Sequence, residues 1–302
     1  MGLVKTWEKH NLEIMQLVIS GLAMGCVYGL IAMGFVLIYK ATEAINFAQG
    51  DMMMLGAFIT LGLTNDHYMA LPFWLSIPIA IGLMGCLGYL LDSLIIRKMF
   101  GQSQLAVVIL TIALGFVARF FAGAIWGHDP QSLESPISGK YFRISDVVIG
   151  VPELWIIVVT IFLTVVLFVF FVKTKLGVAM QAASQNQMAA YYMGIPVRRV
   201  NSLIWALSGI VAAIAGILFA SKSAIDPGTG LLGIKAFAAA VIGGLGSLPG
   251  ALLGGILIGL IEPFASRYLD GDIARVMPYL VLVLILVFRP HGILSQVQKK
   301  KV

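Results

Sequence analysis

A chain of 302 residues that is 60% hydrophobic and only 11% charged, with a mean hydropathy of +0.97, cannot present the polar surface of a water-soluble globule. Its net charge of +6 is not gathered into a basic patch interleaved with aromatics, which argues against a nucleic-acid partner. The composition is that of an all-α polytopic membrane protein.

The first residues, "MGLVKTWEKHNLEIMQL", carry acids and a His before the first apolar run and no small-residue cleavage site after it. The first helix is therefore expected to stay in the mature chain. Apolar runs follow at residues 14–39, 71–96, 105–125, 154–172, 200–220 and 274–288. Most match the roughly 20 residues that cross a hydrocarbon core of about 30 Å. Two more, 45–64 and 231–269, are interrupted by polar or glycine-rich patches. With them, the reading is about eight transmembrane or re-entrant helical elements. Cys26 and Cys86 both fall inside apolar runs and are expected as buried thiols, not a disulfide.

Basic residues set the expected orientation. Lys5, Lys9, Arg97, Lys98, Lys173, Lys175, Arg198, Arg199, Arg289 and Lys299 to Lys301 fall on one set of connections, assigned to the cytoplasm. Asp66, Asp129, Glu134, Asp146, Glu153, Asp226, Asp270 and Asp272 fall on the other. The sides alternate if both interrupted stretches enter and leave from the outer side as re-entrant hairpins or pairs of short helices. Both termini are then cytoplasmic.

The interrupted stretches resemble each other. In each, a full helix leads to a Lys-bearing loop (Lys40, Lys222), expected outside, then to a short broken segment and an apolar return. This weak internal repeat points to a transport pathway, because freed backbone groups at membrane depth are tolerated only where protein or water satisfies them. In "INFAQGDMMMLGAF", Asn46, Gln49 and Asp51 are candidates to face such a passage. Asp51 reads equally as a helix N-cap or a structural hydrogen-bond acceptor at a hairpin tip. Arg119, Asp92 and Glu262 are expected to form structural ion or hydrogen-bond pairs.

Gly21, Gly25 and Gly29 stand four apart, as do Gly250 with Gly254 and Gly255 with Gly259, an interval that lets another helix approach closely. The partner is either within this chain or on a second subunit. The connection 173–199 is alanine- and amide-rich, too polar to span, and ends at Gly194 before Pro196, which reads as a short helix on the inner face. Catalytic constellations are lacking: there is no phosphate loop and no H-E-x-x-H, and His10, His67, His128 and His291 lie in separate connections without metal-ligand spacing. No cofactor, metal site or catalytic residue is expected.

Four segments, "NFAQGDMMMLGA", "LGVAMQAASQNQMAAYYMGI", "GIKAFAAAVIGGLGSLPGALLGG" and "FRPHGIL", resemble the LivH-type permease subunit of bacterial ABC importers for branched-chain amino acids, nearly end to end. The resemblance implies one transmembrane permease domain over 1–302, multi-pass in the inner membrane, with 126–153 periplasmic and 173–199 a cytoplasmic coupling loop. It implies as partners a second related permease subunit or a second copy, two cytoplasmic ATPase subunits that hydrolyse the ATP, a periplasmic solute-binding protein and a small-molecule substrate. On it, Gly177, Ala182, Asn186 and Gly194 belong to the coupling loop. Asn46, Gln49 and Asp51, with Lys235, Phe237, Gly243 and Gly244, flank the pathway, and Met52 to Met54 suit either an apolar wall or the core. The chain departs from the family pattern in having Gln49 where His is common, and Val178 and Gln181 where arginines are common. The other readings left open are a permease for urea, short amides or another small organic acid, an ion-coupled secondary transporter, and an integral-membrane enzyme.

Overall fold

The computed structural model describes residues 2–99, 102–144 and 147–294, and within these the side chains from Leu12 onward except at positions 144 and 147. Lys299 to Lys301, Asp146 and the side chains of Lys5, Lys9 and His10 lie outside the described set. The chain runs α1 (Gly2–Thr42), α2 (Gln49–Thr64), α3 (Phe73–Leu90, extended by a wider turn over Leu91–Ile95 and a tighter one over Ile96–Met99) and α4 (Gln104–Trp126). A hairpin of β1 (Tyr141–Ile144) and β2 (Val147–Gly150) then leads to α5 (Val151–Lys173). There follow α6 (Lys175–Gln185), α7 (Gln187–Tyr192), α8 (Val197–Ala220), α9 (Leu232–Gly243), α10 (Leu248–Tyr268) and α11 (Gly271–Phe288). Among the described residues, seven helices are long and apolar enough to cross a membrane; α2 and α9 are shorter.

Polar residues fix where helices start. Ser103, Thr174, Asn186 and Ser247 each accept a backbone N–H of the first turn they precede. Asp226 and Thr229 cap each other ahead of α9, which stops at Gly244 with φ +101°.

Glycine fixes how close the helices come. A Cβ on Gly25 would lie 2.7 Å from the Ile256 Cα, and one on Gly21 would lie 2.8 Å from the Gly259 carbonyl. Gly21, Gly25 and Gly29 thus seat α1 against α10 inside this chain, and Gly250 and Gly254 face α9. The same device recurs where Gly85 and Gly88 of α3 meet α8.

These contacts reveal an inverted repeat. α1 packs on α10 as α8 packs on α3, α1 on α9 as α8 on α2, and α2 on α4 as α9 on α11. The first unit is α1 to α4 and the second α8 to α11, running in opposite directions.

The direction of α1 corrects the expected topology. Near its start, Glu13 pairs with Arg267 at the end of α10 (3.2 Å) and Ser20 meets Lys222 beyond the end of α8 (2.9 Å). At its finish, the Ala41 carbonyl accepts from Gln187 in α7 (2.8 Å). The helix therefore begins on the face of the β-hairpin and ends on the face of α6 and α7. Lys40 sits on the latter, with Arg97, Lys98, Lys173, Lys175, Arg198, Arg199 and Arg289, and not on the face of Lys222. α9 and α10 do enter and leave from the hairpin face, as expected of the second interrupted stretch. The first enters from the basic face and leaves at the hairpin face, because the loop before α2 completes the crossing that the 16 residues of α2 cannot make alone. The start of α1 and the end of α11 consequently lie on opposite faces.

Two smaller expectations change: the 173–199 connection holds two helices broken at Asn186, and Cys86 is exposed, while Cys26 is buried as expected. The 126–153 segment holds the β-hairpin.

Candidate translocation site at two broken helices

Beyond Thr42 the chain cannot continue α1: Glu43 takes φ +54°, and Asn46 folds its side chain back to accept from the Ala48 N–H at 3.1 Å. The freed backbone is satisfied locally. The Phe47 N–H donates to the Thr111 hydroxyl of α4 (3.1 Å) and Gln49 N–H to the Asn46 carbonyl (3.1 Å).

The side chains close the break. Asn46 Nδ2 donates to Gln49 Oε1 (3.3 Å), which also accepts from the Ser208 hydroxyl of α8 (2.9 Å). Gln49 Nε2 reaches the Ser208 carbonyl at 3.4 Å, and Gly34 of α1 leaves the space that this amide fills. Asn46 and Gln49 are no more than 1% exposed. Gln49 thus ties the first broken helix to both full helices, α1 and α8.

Asp51 is the third residue of α2, not its cap, and is 2% exposed. Its carboxylate accepts from Arg119 of α4 twice, Nε to Oδ1 at 2.6 Å and Nη2 to Oδ2 at 3.2 Å. Gly115 and Gly230 flank it; a Cβ on either would collide with one of its oxygens. Beside it the two broken helices touch main chain to main chain. A Cβ on Gly233 would lie 2.8 Å from the Gly50 Cα. α2 and α9 therefore meet N-terminus to N-terminus, where both macrodipoles favour a negative charge, and Asp51 supplies it.

The remaining candidates divide. Phe237 packs on Phe47 and Phe35, with ring centroids 5.2 and 5.6 Å away, and so joins the first break to α9. Lys235 points elsewhere, into an ion pair with Glu262 of α10, whose other oxygen accepts from the Tyr28 hydroxyl at 2.8 Å. Gly243 packs against Gly250, and Gly244 makes the turn beside Gly292; both lie on the basic face, away from the centre. Met52, Met53 and Met54 are core residues. Asp92 accepts from Ser202 (2.6 Å) beside Arg97. Arg119, Asp92 and Glu262 are all paired, as expected; what the sequence did not show is that Asp51 is the partner of Arg119. A lone base and a lone acid in separate apolar runs were the available signal.

On the basic face, Gly177 lies tight against the Phe170–Phe171 backbone, Ala182 is half-buried, exposed Asn186 caps α7, and Gly194 ends the segment at φ +83°. Met188, Tyr191 and Tyr192 of α7, with Met193 just past its end, form an exposed apolar ridge that sequence reasoning missed.

Residues 17–286 match the family described as "Branched-chain amino acid transport system / permease component". The chain belongs to that family. The permease is 30% identical to the high-affinity branched-chain amino acid transport system permease protein BraD of Pseudomonas aeruginosa, over 95% of this chain and 98% of that one. It is 28% identical to the permease protein LivH of Salmonella typhimurium, over 98% and 100%. A third relative, the probable branched-chain amino acid transport permease protein LivH of Methanocaldococcus jannaschii, is 31% identical over 90% and 89%. As a member of that permease family, with seven helices among the described residues long and apolar enough to cross a membrane, it is a multi-pass membrane transport subunit and not an enzyme.

Proposed function

We propose that this permease is the membrane-spanning subunit of an ATP-driven importer in the inner membrane that moves small hydrophobic, branched-chain amino acids by alternating access. Its partners are a second permease (a relative or a second copy), two ATPase subunits on the basic, cytoplasmic face, and a solute-binding protein on the hairpin face. In this reading 173–199 is the coupling element and 126–153 the outer segment facing the binding protein. The names of the relatives support the solute class. The positive-inside rule supports the sidedness, with Lys40 now among the basic-face residues.

The observation that carries the coupling role is the hydrogen bond from Gln187 to the Ala41 carbonyl. The apolar ridge of α7 offers a soluble ATPase a contact, and Gln187 hands any displacement of α7 to the end of α1. Two residues later the chain breaks at Glu43 and reaches Asn46 and Gln49. Motion at the ATPase thereby acts on the segment joining α1 to α2, while the meeting point of α2 and α9 separates or closes. Asn46, Gln49, Asp51 and Phe237 hold that meeting point, and Lys235 with Glu262 borders it on the α10 side.

The test is purification of a tagged copy with mass spectrometry of its companions, then solute uptake in proteoliposomes. ATPases and a second permease should co-purify, and uptake of leucine, isoleucine or valine should need ATP and the binding protein. Uptake without any ATPase would overturn the reading, and uptake of urea or short amides alone would replace its solute.

A further inference from the structure

A cavity of about 510 Å³ opens on the basic face between α1, α5, α6 and the turn at Gly246–Pro249. That lies within the roughly 300–1,000 Å³ of small-molecule sites. Its walls are apolar: Met33 and Leu37 of α1, Val165 and Phe168 of α5, Met180 of α6 and Leu248. Its polar groups are Lys40, Thr164, Gln181, Ser184 and Ser247, and no carboxylate lines it.

The hydrogen bonding of these groups leaves a donor surplus. Gln181 already gives its amide N–H to the Phe171 carbonyl (3.2 Å), and the Ser184 hydroxyl is spent on the Gln181 carbonyl (2.8 Å). Thr164 donates to the Thr160 carbonyl (2.8 Å). Ser247 uses its oxygen to cap α10 and keeps its O–H. Lys40 is half-buried and has no ion pair or hydrogen bond among the described residues, whereas Arg97, Arg119, Lys222 and Lys235 all pair with a carboxylate. An apolar pocket holding an unneutralised ammonium and a spare hydroxyl selects an amphiphile with an anionic head.

The walls say which amphiphile. Val165, Phe168 and Val172 lie on a helix whose exposed face continues through Ile161, Phe162 and Val158, all apolar, in a span only 17% buried within this chain. A soluble protein segment does not reach such a face, and a membrane lipid does. At ~1.5 Å per residue, Thr164 lies roughly 14 Å above Lys173, about the depth of one leaflet.

We propose that this cavity binds an anionic phospholipid of the leaflet on the basic face, its phosphate on Lys40 and Ser247 and an acyl chain along α5. Basic pockets between membrane helices on the cytoplasmic side are suited to such head groups. The lipid would touch α1, α5, α6 and the first turn of α10 together and hold α6 onto the bundle; its bearing on transport rests on the coupling role proposed above, while binding itself does not.

The experiment uses the full chain with its co-purifying subunits in nanodiscs of phosphatidylcholine, with or without phosphatidylglycerol, read by thermal unfolding and native mass spectrometry. Phosphatidylglycerol should raise the midpoint by several degrees and remain bound. Lys40→Gln should lose both effects and Lys40→Arg should keep them. Val165→Trp, which fills the cavity and leaves Lys40 in place, should also lose bound lipid. Equal stabilisation of the wild type and Lys40→Gln overturns the proposal. So does the same rise from inorganic phosphate in phosphatidylcholine discs, which marks a simple anion site, or cross-linking of a Val165→Cys variant to another subunit, which marks a protein occupant.

Discussion

Arg119 and Asp51 form a two-pronged ion pair across α4 and α2, at 2.6 and 3.2 Å, with the carboxylate enclosed between Gly115 and Gly230. Removing one partner strands the other. Asp51→Ala or Arg119→Ala should each cost on the order of 3–5 kcal/mol. The double variant Asp51→Leu/Arg119→Met should regain much of it. Thermal unfolding in detergent reads both; a double variant no better than either single would show that the pair is not the source of the loss.

Gln49 and Ser208 should behave as one unit. Replacing Ser208 by Ala leaves the Gln49 carbonyl sharing only the Asn46 amide, at a cost of about 1–3 kcal/mol for an underserved buried group. Gln49→Leu with Ser208→Ala should be milder than the sum of the single changes. Additive losses measured by denaturant titration would argue against the coupling.

Gly25 and Gly82 should part company. Gly25→Leu drives a side chain into the Ile256 backbone and should abolish folded protein, with overpacking of this kind costing at least ~1–3 kcal/mol. Gly82→Ala meets nothing within 4 Å and should accumulate normally. Size-exclusion profiles of the two expressed variants decide it.

Gln187→Ala removes the link between α7 and the end of α1. Assembly with ATPases should survive, because one hydrogen bond is worth about 0.5–1.5 kcal/mol net, while uptake per ATP hydrolysed should fall several-fold. Unchanged coupling would move the transmission of force elsewhere.

The direction of α1 is testable without function. Cysteines placed at Asn65 and at Asn186 should label from opposite sides of the membrane, and a tag before α1 should face the side opposite a tag after α11. Both tags on one side would refute the odd number of crossings.

The fold class was legible because spanning length and hydropathy are local properties, and the helix positions followed from them. The capped starts at Ser103 and Asn186 were also within reach. The direction of α1 was not, because a crossing made of a loop plus a short helix looks in sequence like a hairpin that returns; reading 45–64 as a return reversed everything before it. The site was half legible. Asn46, Gln49 and Asp51 stood out as polar groups in oily surroundings, but Ser208 and Arg119, which bind Gln49 and Asp51, and Thr111, which accepts from the Phe47 N–H between them, lie 64 to 159 residues away along the chain. Only the packing of α4 and α8 brings them in. The tyrosines of α7 read as ordinary helix residues until their exposure was known.

The contact of Gly50 with Gly233 bears on where a solute can travel. Main chain pressed on main chain there leaves no room for even a methyl group between the starts of α2 and α9, let alone a leucine side chain. Under the proposed pairing with a second permease, this subunit would act as a wall and not a tube: the solute would slip along its flank, and the neighbour would supply half of the opening.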